Sequence, residues 1–310
     1  MSPGAKAEGR GFTPSPGVNP FLIGKHLPIV VGHRGVPKLH QENTLAGFKR
    51  AVELGLPAIE LDVRLTRDRK AVVLHDHNLR RLTGSTFDVD DLTWDQVSRL
   101  RIRRELPMGI DEHGAEVVVR YEREERIPLL AEVLAEVAAR VVINVELKLD
   151  VARLWATDIG AIAAQVISEA RAEHRVIVTS FDPRKLGAAV RKESRLAVGF
   201  CFDDTMLNFA RPLLDPRRML NRILETNFVN RLLGTRLVGA EHTLIGAGTV
   251  KRLHALGVAI GTHTLFPMGS TTGKPIDPTA MTDAEAFRLR ELGVDWIESD
   301  DPERLQNLIG

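Results

Sequence analysis

Cysteine is nearly missing from these 310 residues: Cys201 stands alone, which excludes an internal disulfide and any zinc site built on several thiolates. Net charge is missing too, at +1 with 42 basic against 41 acidic residues, so nothing global draws the chain to nucleic acid or anionic lipid. Any recognition of phosphate must then be local. No apolar run approaches the roughly 18 residues of a membrane span, and the Gly- and Pro-rich first twenty residues contain no apolar signal core. These absences predict a soluble, cytoplasmic protein of a reducing compartment. Residues 1–24 are expected to form a flexible arm ahead of one domain over 25–310.

What is present is a succession of short apolar runs, at 29–32, 58–63, 71–74, 141–147, 176–180, 196–202, 237–240, 258–261 and 295–298. Between them FKRAVELG, LLAEVLAEVAA and AIAAQVISEARAE show helical apolar spacing, and Gly55 and Gly257 stand where helices should end. AIELDVRL and AVVLH are separated only by Thr66 to Lys70. A parallel crossover needs about a dozen residues or more, so these two runs form an antiparallel hairpin. Without that return strand, eight β/α units remain, which predicts an α/β fold of the closed TIM (β/α)8 barrel type. The alternative, an open doubly wound sheet, calls for a Gly-rich phosphate turn after its first strand, and HRGVPKLH is not one. Stretches at about 80–127, 203–236 and 265–281 exceed plain connections and read as insertions at the carboxyl-terminal face.

In such a barrel the site lies where the strands end. The first strand ends in His33-Arg34, the second carries Glu60 and Asp62 on one side, and the third carries Asn144, Glu146 and Lys148 with the same period of two. The hairpin returns through His75-Asp76; with its turn centred near Arg67 to Arg69, His75 is expected across from Glu60 or Asp62. Singly, each group has a plain structural use, as a hydrogen-bonded histidine or a solvated rim charge. Together they do not, because Glu60 and Asp62 repel unless a cation intervenes. Ligands that are all oxygen suit Mg²⁺ or Ca²⁺ rather than zinc. Such an ion beside Arg34 and Lys148 makes an anion site, and two flanking histidines could move protons. The residues themselves point to metal-assisted phosphoryl transfer or hydrolysis.

The motifs run His33-Arg34-Gly35, Glu42-Asn43-Thr44, Glu60-Leu61-Asp62, His75-Asp76 and Glu146-Leu147-Lys148. HDHNLRRLTG at 75–84, IPLLAEVL at 127–134, SFD at 180–182 and SDDP at 299–302 extend the series. In this order and spacing the chain resembles the glycerophosphodiester phosphodiesterase family of the TIM-barrel phosphodiesterase superfamily, over roughly 29–305. The resemblance implies divalent-metal-dependent hydrolysis of glycerophosphodiesters to an alcohol and glycerol 3-phosphate. It implies Glu60, Asp62 and Glu146 as ligands of Mg²⁺ or Ca²⁺, His33 and His75 as the acid–base pair, and Arg34 and Lys148 as phosphate contacts. Glu42 would stand behind them near the mouth, Asn43 and Thr44 would open the first helix by capping, and Gly35 would permit the turn. The nucleophile would be the substrate's own neighbouring hydroxyl, through a cyclic phosphate, or water.

The chain departs from the family at Gln41, where proline is common, and at Gly261-Thr262-His263-Thr264, where a Trp-Thr pair is usual. His263 thus replaces an aromatic side chain that lines the alcohol pocket and becomes a candidate substrate contact, with Glu241 and His242 on the same rim. Three other functions compete. A zinc hydrolase would chelate through His75 and His77, completed by His242 and His263. A non-catalytic barrel that binds phosphorylated ligands has little need of both His33 and His75. A lysophospholipase D-like enzyme would offer Phe209 to Leu233, with Met206, Leu207, Leu213, Leu214, Met219 and Leu220, to an acyl chain or in peripheral contact with lipid. Core packing and oligomer contact are the plainer uses of those residues. The expected partner is a small-molecule phosphodiester and not nucleic acid; the sequence sets no oligomeric state.

Overall fold

A computed structural model describes residues 19–21, 28–149, 156–203, 206, 216–272 and 274–310. Its strands are β1 (Ile29–Gly32), β2 (Ala58–Leu65), β3 (Ala71–Val73), β4 (Glu105–Ile110), β5 (Glu116–Arg120) and β6 (Val142–Leu147). Then follow β7 (Val176–Ser180), β8 (Ala197–Phe202), β9 (Leu237–Glu241), β10 (Ala259–Leu265) and β11 (Trp296–Ser299). The helices are α1 (Leu45–Glu53), α2 (Arg80–Thr83), α3 (Trp94–Ser98), α4 (Leu130–Val137), α5 (Asp158–Glu169) and α6 (Pro183–Lys192). The last five are α7 (Pro216–Thr226), α8 (Phe228–Leu233), α9 (Ala247–Ala255), α10 (Asp283–Leu292) and α11 (Pro302–Ile309).

β1 pairs in parallel with both β2 and β11, and the ladder runs on through β10, β9, β8, β7 and β6 back to β2. Eight parallel strands therefore close into a TIM barrel, as the pattern of apolar runs predicts. The ninth run, β3, lies antiparallel on β2, with Val63 opposite Val73 and Leu65 opposite Ala71. That register corrects one expectation. Leu74, whose N–H donates to the Asp62 carbonyl at 2.9 Å, takes the place beside Asp62, and His75 leaves the sheet beyond it. The Arg64 side chain holds the departing backbone, donating from Nε to the His75 carbonyl at 2.7 Å.

Helices form where apolar spacing and end signals coincide. In α4 the buried Leu130, Val133, Leu134 and Val137 recur at the spacing of one helical face. Thr44 caps α1 by accepting the Gly47 N–H, and Gly55 follows its end at φ +74°.

The barrel interior is layered. At the amino-terminal end Ile29, Val31, Ala58, Val142, Ile177, Ala197, Leu237, Ala259 and Trp296 pack together with Phe21, from the chain before β1. Phe21 meets Trp296 edge-on, centroids 5.5 Å apart, so part of the stretch expected as a flexible arm is fully buried at the barrel floor. Residues 1–18 and 22–27 lie outside the described residues. Trp296 has room only because position 261 lacks a side chain: a Cβ on Gly261 would stand 1.8 Å from the indole. Above this floor the inward positions turn polar, with Glu60 level with Asn144 and Asp62 with Glu146.

The insertion at about 80–127 folds over its own core, which includes Leu79, Leu82, Val97, Ile102, Leu106 and Ile127. It also contains the hairpin β4–β5, which the sequence reading did not anticipate; Pro107 and Gly109 interrupt its apolar pattern. Ile110 and Ser270 exchange backbone hydrogen bonds of 3.1 and 2.9 Å, joining this insertion to the loop after β10. Gly109, at φ +101°, lets them meet, since a Cβ there would lie 2.1 Å from the Ser270 carbonyl oxygen. In the second insertion, at about 203–236, Leu207, Phe209, Leu213 and Leu214 lie outside the described residues. Leu220 is buried and Met206 packs on the core, while Met219, Phe228 and Leu232 are exposed. Among the described residues no helix is long and apolar enough to cross a membrane.

The close contact at the floor predicts the outcome of one small substitution. Gly261→Ala should destabilise the protein by about 2 kcal/mol, the scale of overpacking in a filled core. Urea unfolding reads it; wild-type stability in the variant would show that Trp296 is not locked in place.

Candidate active site

The turn after β1 is tight. Arg34 at φ +53° and Gly35 at φ +92° are both left-handed, and a Cβ on Gly32 would lie 2.3 Å from the Gly35 carbonyl oxygen. A left-handed arginine is strained unless its surroundings hold it there. Here the Arg34 N–H donates to Glu60 Oε2 at 2.9 Å, and the Arg34 carbonyl accepts the Asn43 N–H at 3.0 Å. The guanidinium then reaches back over the barrel, with Nε 3.2 Å from Asp62 Oδ2 and Nη1 3.2 Å from Glu42 Oε1.

Asn43, expected as a helix-opening residue, instead grips the second strand. Its Nδ2 donates to Asp62 Oδ2 at 2.7 Å and its Oδ1 accepts the Asp62 N–H at 3.1 Å. Capping falls to Thr44 alone. Glu42 is buried and holds two arginines: besides Arg34 it accepts from Arg81 Nη2 at 2.7 Å and Nη1 at 2.9 Å. Those two cations outweigh burial and keep Glu42 below the usual carboxylate range.

One oxygen each of Glu60, Asp62 and Glu146 come within 4.8 Å of one another. Lys148 Nζ stands 3.1 Å from Asp62 Oδ1 and 2.7 Å from Glu146 Oε1. Burial would raise Asp62, but Lys148 and Arg34 outweigh it and hold this carboxyl well below its usual range. Glu60 gets less help: burial, then Asp62, Glu298 and Glu146, outweigh Arg34 and push it well above that range. Among the described residues its buried Oε1 has no hydrogen-bond partner. Two neighbouring carboxyls are thus driven in opposite directions by which of them the cations reach.

Each of the two histidines is held by a carboxylate. His33 Nδ1 lies 2.6 Å from Asp300 Oδ1, and His75 Nδ1 lies 2.8 Å from Asp76 Oδ1. A carboxylate acceptor places the ring proton on Nδ1 and leaves Nε2 for other partners. His33 Nε2 points toward Glu60, 3.9 Å from Oε2. Burial, with Arg34 and Lys148, pushes His75 down to about 4. Asp300 is fixed in turn by the Met268 N–H at 2.8 Å, and Asp76 by Arg81 Nε at 2.6 Å.

The expected site residues come together. His33, Arg34, Glu42, His75, Glu146, Lys148 and His263 all line one cavity of about 710 Å³, over Glu60 and Asp62. His263 packs edge-on to Phe181 at 5.7 Å, its Nε2 buried without a hydrogen bond, and burial lowers it to about 4. His242 on the same wall gives Nδ1 to Glu285 at 2.8 Å, and its Nε2 likewise has no hydrogen bond. The chelating pair of the zinc reading does not form. His77 turns away to Asp90, Nε2 to Oδ1 2.8 Å, and among the described residues no metal-sized group contains two histidines. The chain at 75–77 is not a strand, so period two does not apply there.

Sequence reasoning gave no role to Asp300, Asp76, Arg81 or Glu298. Glu298 and Asp300 repeat at the end of β11 the two-residue spacing of Glu60 and Asp62, a usable signal. Glu298 Oε1 accepts from Asn144 Nδ2 at 2.8 Å, and burial raises Glu298 to about 7.

A closed (β/α)8 barrel with paired histidines, clustered carboxylates and two cations at its carboxyl end has the form of a TIM-barrel phosphodiesterase. A model of the glycerophosphoryl diester phosphodiesterase family matches residues 33–304. A glycerophosphodiester phosphodiesterase of Caldanaerobacter subterraneus subsp. tengcongensis is 30% identical over 285 residues, 91% of this chain and 97% of that protein. The chain belongs to this family of phosphodiester hydrolases. Lysophospholipase D GDPD1 of Homo sapiens is 35% identical over 132 residues, 42% of this chain and 38% of that protein. In fold the chain is similar to an Oleispira antarctica phosphodiesterase determined in complex with the product sn-glycerol-3-phosphate. That match has a TM-score of 0.63 at 20% identity and covers 91% of this chain and 96% of the other.

The raised Glu298 makes a pH prediction. Its folded value of about 7 lies above the ordinary 4.5, so the folded state binds the proton more tightly. The stability this contributes is full below pH ~4.5 and lost as pH rises through ~7, about 3 kcal/mol at most. Glu298→Gln keeps an acceptor for Asn144 and should flatten this slope in chelator-treated protein. Parallel denaturation curves for variant and wild type across that window would rule the effect out.

Proposed function

We propose that the protein hydrolyses glycerophosphodiesters to an alcohol and glycerol 3-phosphate in a divalent-metal-dependent reaction. The observation that carries this reading is the carboxylate trio beside Arg34 and Lys148, at a mouth lined by two histidines each anchored through Nδ1. The trio fits a hard cation, Mg²⁺ or Ca²⁺: its donors are all oxygens, and Glu60 Oε1 is buried with nothing to bind. Such an ion, held by Glu60, Asp62 and Glu146, would supply Lewis-acid polarisation at a phosphoryl oxygen.

The remaining chemistry falls to the chain's own groups. Arg34 and Lys148 bind the phosphate and offset charge that grows on its oxygens. Glu42, fixed by Arg81, keeps Arg34 from folding away. His33 and His75 act through Nε2, one taking the proton of the attacking hydroxyl and the other protonating the leaving oxygen. An arriving phosphate offsets the field of Arg34 and Lys148, the two cations that depress His75, and so returns proton affinity to that ring. His263 contributes an imidazole nitrogen to a substrate hydroxyl, where an aromatic ring would give only a face.

Two predictions test this. His33→Ala and His75→Ala should each lower kcat by about 10²- to 10⁴-fold, and chelation should abolish turnover that added Mg²⁺ or Ca²⁺ restores. Undiminished activity in either variant would sink the acid–base pair. No turnover above the His33→Ala background across a diester panel would favour the binding-only barrel instead. A lysophospholipase D-like activity is the second reading, favoured by the exposed Phe228 and Leu232 on α8. Glycerophosphocholine, glycerophosphoglycerol and a lysophospholipid assayed side by side should show the water-soluble diesters turned over faster. A preference for the lysolipid that Leu232→Ser removes would reverse this ordering.

A further inference from the structure

Beyond His75 the active-site cavity opens into a second groove of about 660 Å³, which shares His75, Arg81 and Thr271 with the first. Four arginines line it, against a single carboxylate, Asp76. That carboxylate is already engaged, by His75 at 2.8 Å and by Arg81 at 2.6 Å. Arg81 in turn is matched by Glu42, and Arg64 spends hydrogen bonds on the carbonyls of His75 and Leu149. Arg80 and Arg103 are different: neither side chain has an ion pair or hydrogen bond among the described residues.

Arg103 is nonetheless placed rather than loose. Its guanidinium lies over Gly84, where a Cβ would stand 1.9 Å from Nη2, and its backbone N–H donates to the Leu82 carbonyl at 2.8 Å. The two sides of the phosphate position therefore differ in kind. Toward β9 and β10 the wall is enclosed, with the Nε2 atoms of His242 and His263 buried and unbonded, which suits the hydroxyls of a small constant group such as glycerol. Past His75 the space is open and cationic, which suits the variable arm of a diester.

We propose that the groove of Arg80 and Arg103 binds a second phosphate carried by the alcohol arm of the substrate, so that the preferred diesters are those whose released alcohol is itself phosphorylated. This rests on the glycerophosphodiesterase reading above and names its substrate class. A guanidinium fork matches phosphate in geometry as well as charge, and a groove without a competing carboxylate keeps both forks available.

A matched pair of substrates tests it: glycerophosphoglycerol, and bis(glycerophospho)glycerol, which adds one glycerophosphoryl group, and so one phosphate, to the same alcohol. After division by two for its equivalent bonds, kcat/KM for the second should exceed that for the first by about tenfold, the scale of two part-exposed ion pairs. Arg80→Ala/Arg103→Ala should bring the ratio toward unity, and so should high salt. Arg99→Ala, which breaks only the exposed pair with Asp95 on α3, should leave the ratio unchanged. A wild-type ratio of one, or a preference that survives the double substitution, overturns the groove while leaving the activity itself intact. If neither diester is turned over, the function proposed above fails, and calorimetric binding of the same two compounds still decides: equal affinities overturn the groove. Sedimentation with phosphatidylglycerol vesicles, lost in the double variant while the soluble ratio stays at one, would assign the arginines to a lipid surface and also overturn it.

Discussion

The burial of negative charge inside a closed barrel governs the rest of this molecule. Glu60 and Asp62 share one face of β2, and β6 sets Glu146 beside them, three carboxyl oxygens within 4.8 Å. At that separation each charged pair repels by roughly 3 kcal/mol with an effective dielectric near 20. The chain answers with Arg34 and Lys148, and the answer is uneven: both cations reach Asp62, while Glu60 is left with a backbone N–H and an unsatisfied oxygen. A further cation would relieve that imbalance. The left-handed turn at Arg34, the grip of Asn43 on Asp62 and the Glu42–Arg81 pair all hold this arrangement against its own repulsion.

Such a mouth is destabilising, and the opposite end of the barrel offsets it. Trp296, Phe21 and the small and branched residues around them fill the floor, and each fully buried large side chain contributes about 1.5–3 kcal/mol. The same strands serve both ends. β11 begins with Trp296 in the floor, passes through Glu298 in the polar layer, and delivers Asp300 to His33 just past its end. Two-residue periodicity along one strand thus carries packing, electrostatics and histidine placement in turn.

That periodicity explains what could be read from the sequence. Strands buried on both faces stand out as apolar runs, a five-residue separation forces a hairpin, and charged residues interrupting such runs at period two have nowhere to point but the lumen. Glu60, Asp62, Glu146 and Lys148 were legible for this reason. Asp300 shares a two-residue spacing with Glu298, but its pairing with His33 shows only once β11 lies beside β1; Asp76 adjoins His75 in the chain, yet adjacency alone does not show that its carboxylate holds the ring. Asn43 sits where capping is common, and only the closeness of β1 and β2 turns its amide toward Asp62. β10 runs on to Leu265, beyond the apolar run at 258–261: Thr262 and His263 break the apolar pattern but keep their pairing with β9, while the register to β11 shifts between Thr262 and Leu265. Hairpin β4–β5 escaped notice because Pro107 and Gly109 suggest a loop, yet Gly109 is what lets the insertion close against Ser270.

Chemistry and selectivity are divided along the chain. The groups proposed to bind phosphate and move protons come from the first four apolar runs, which are short, rigid and tied to one another through Glu42, Asn43 and Arg81. The walls that would meet the two alcohols come from elsewhere: His242 and His263 on the β9–β10 side, the arginines of the first insertion on the other. His242 owes its ring orientation to Glu285, which α10 holds in place through Arg288 at 2.5 Å. His242 Nε2 is buried without a hydrogen bond, 3.7 Å from Glu241 Oε1. On the enclosed side, selection would come from hydrogen bonds, which are short-ranged and insensitive to salt. The open side offers chiefly the charge of its arginines, which reaches further and is screened by salt. Arg81 ties the insertion to the site's machinery through Glu42, and Gln41 ties it to the same turn, donating from Nε2 to the Arg103 and Arg123 carbonyls at 3.3 and 2.6 Å, so changes in the insertion that spare these contacts leave the carboxylate trio in place.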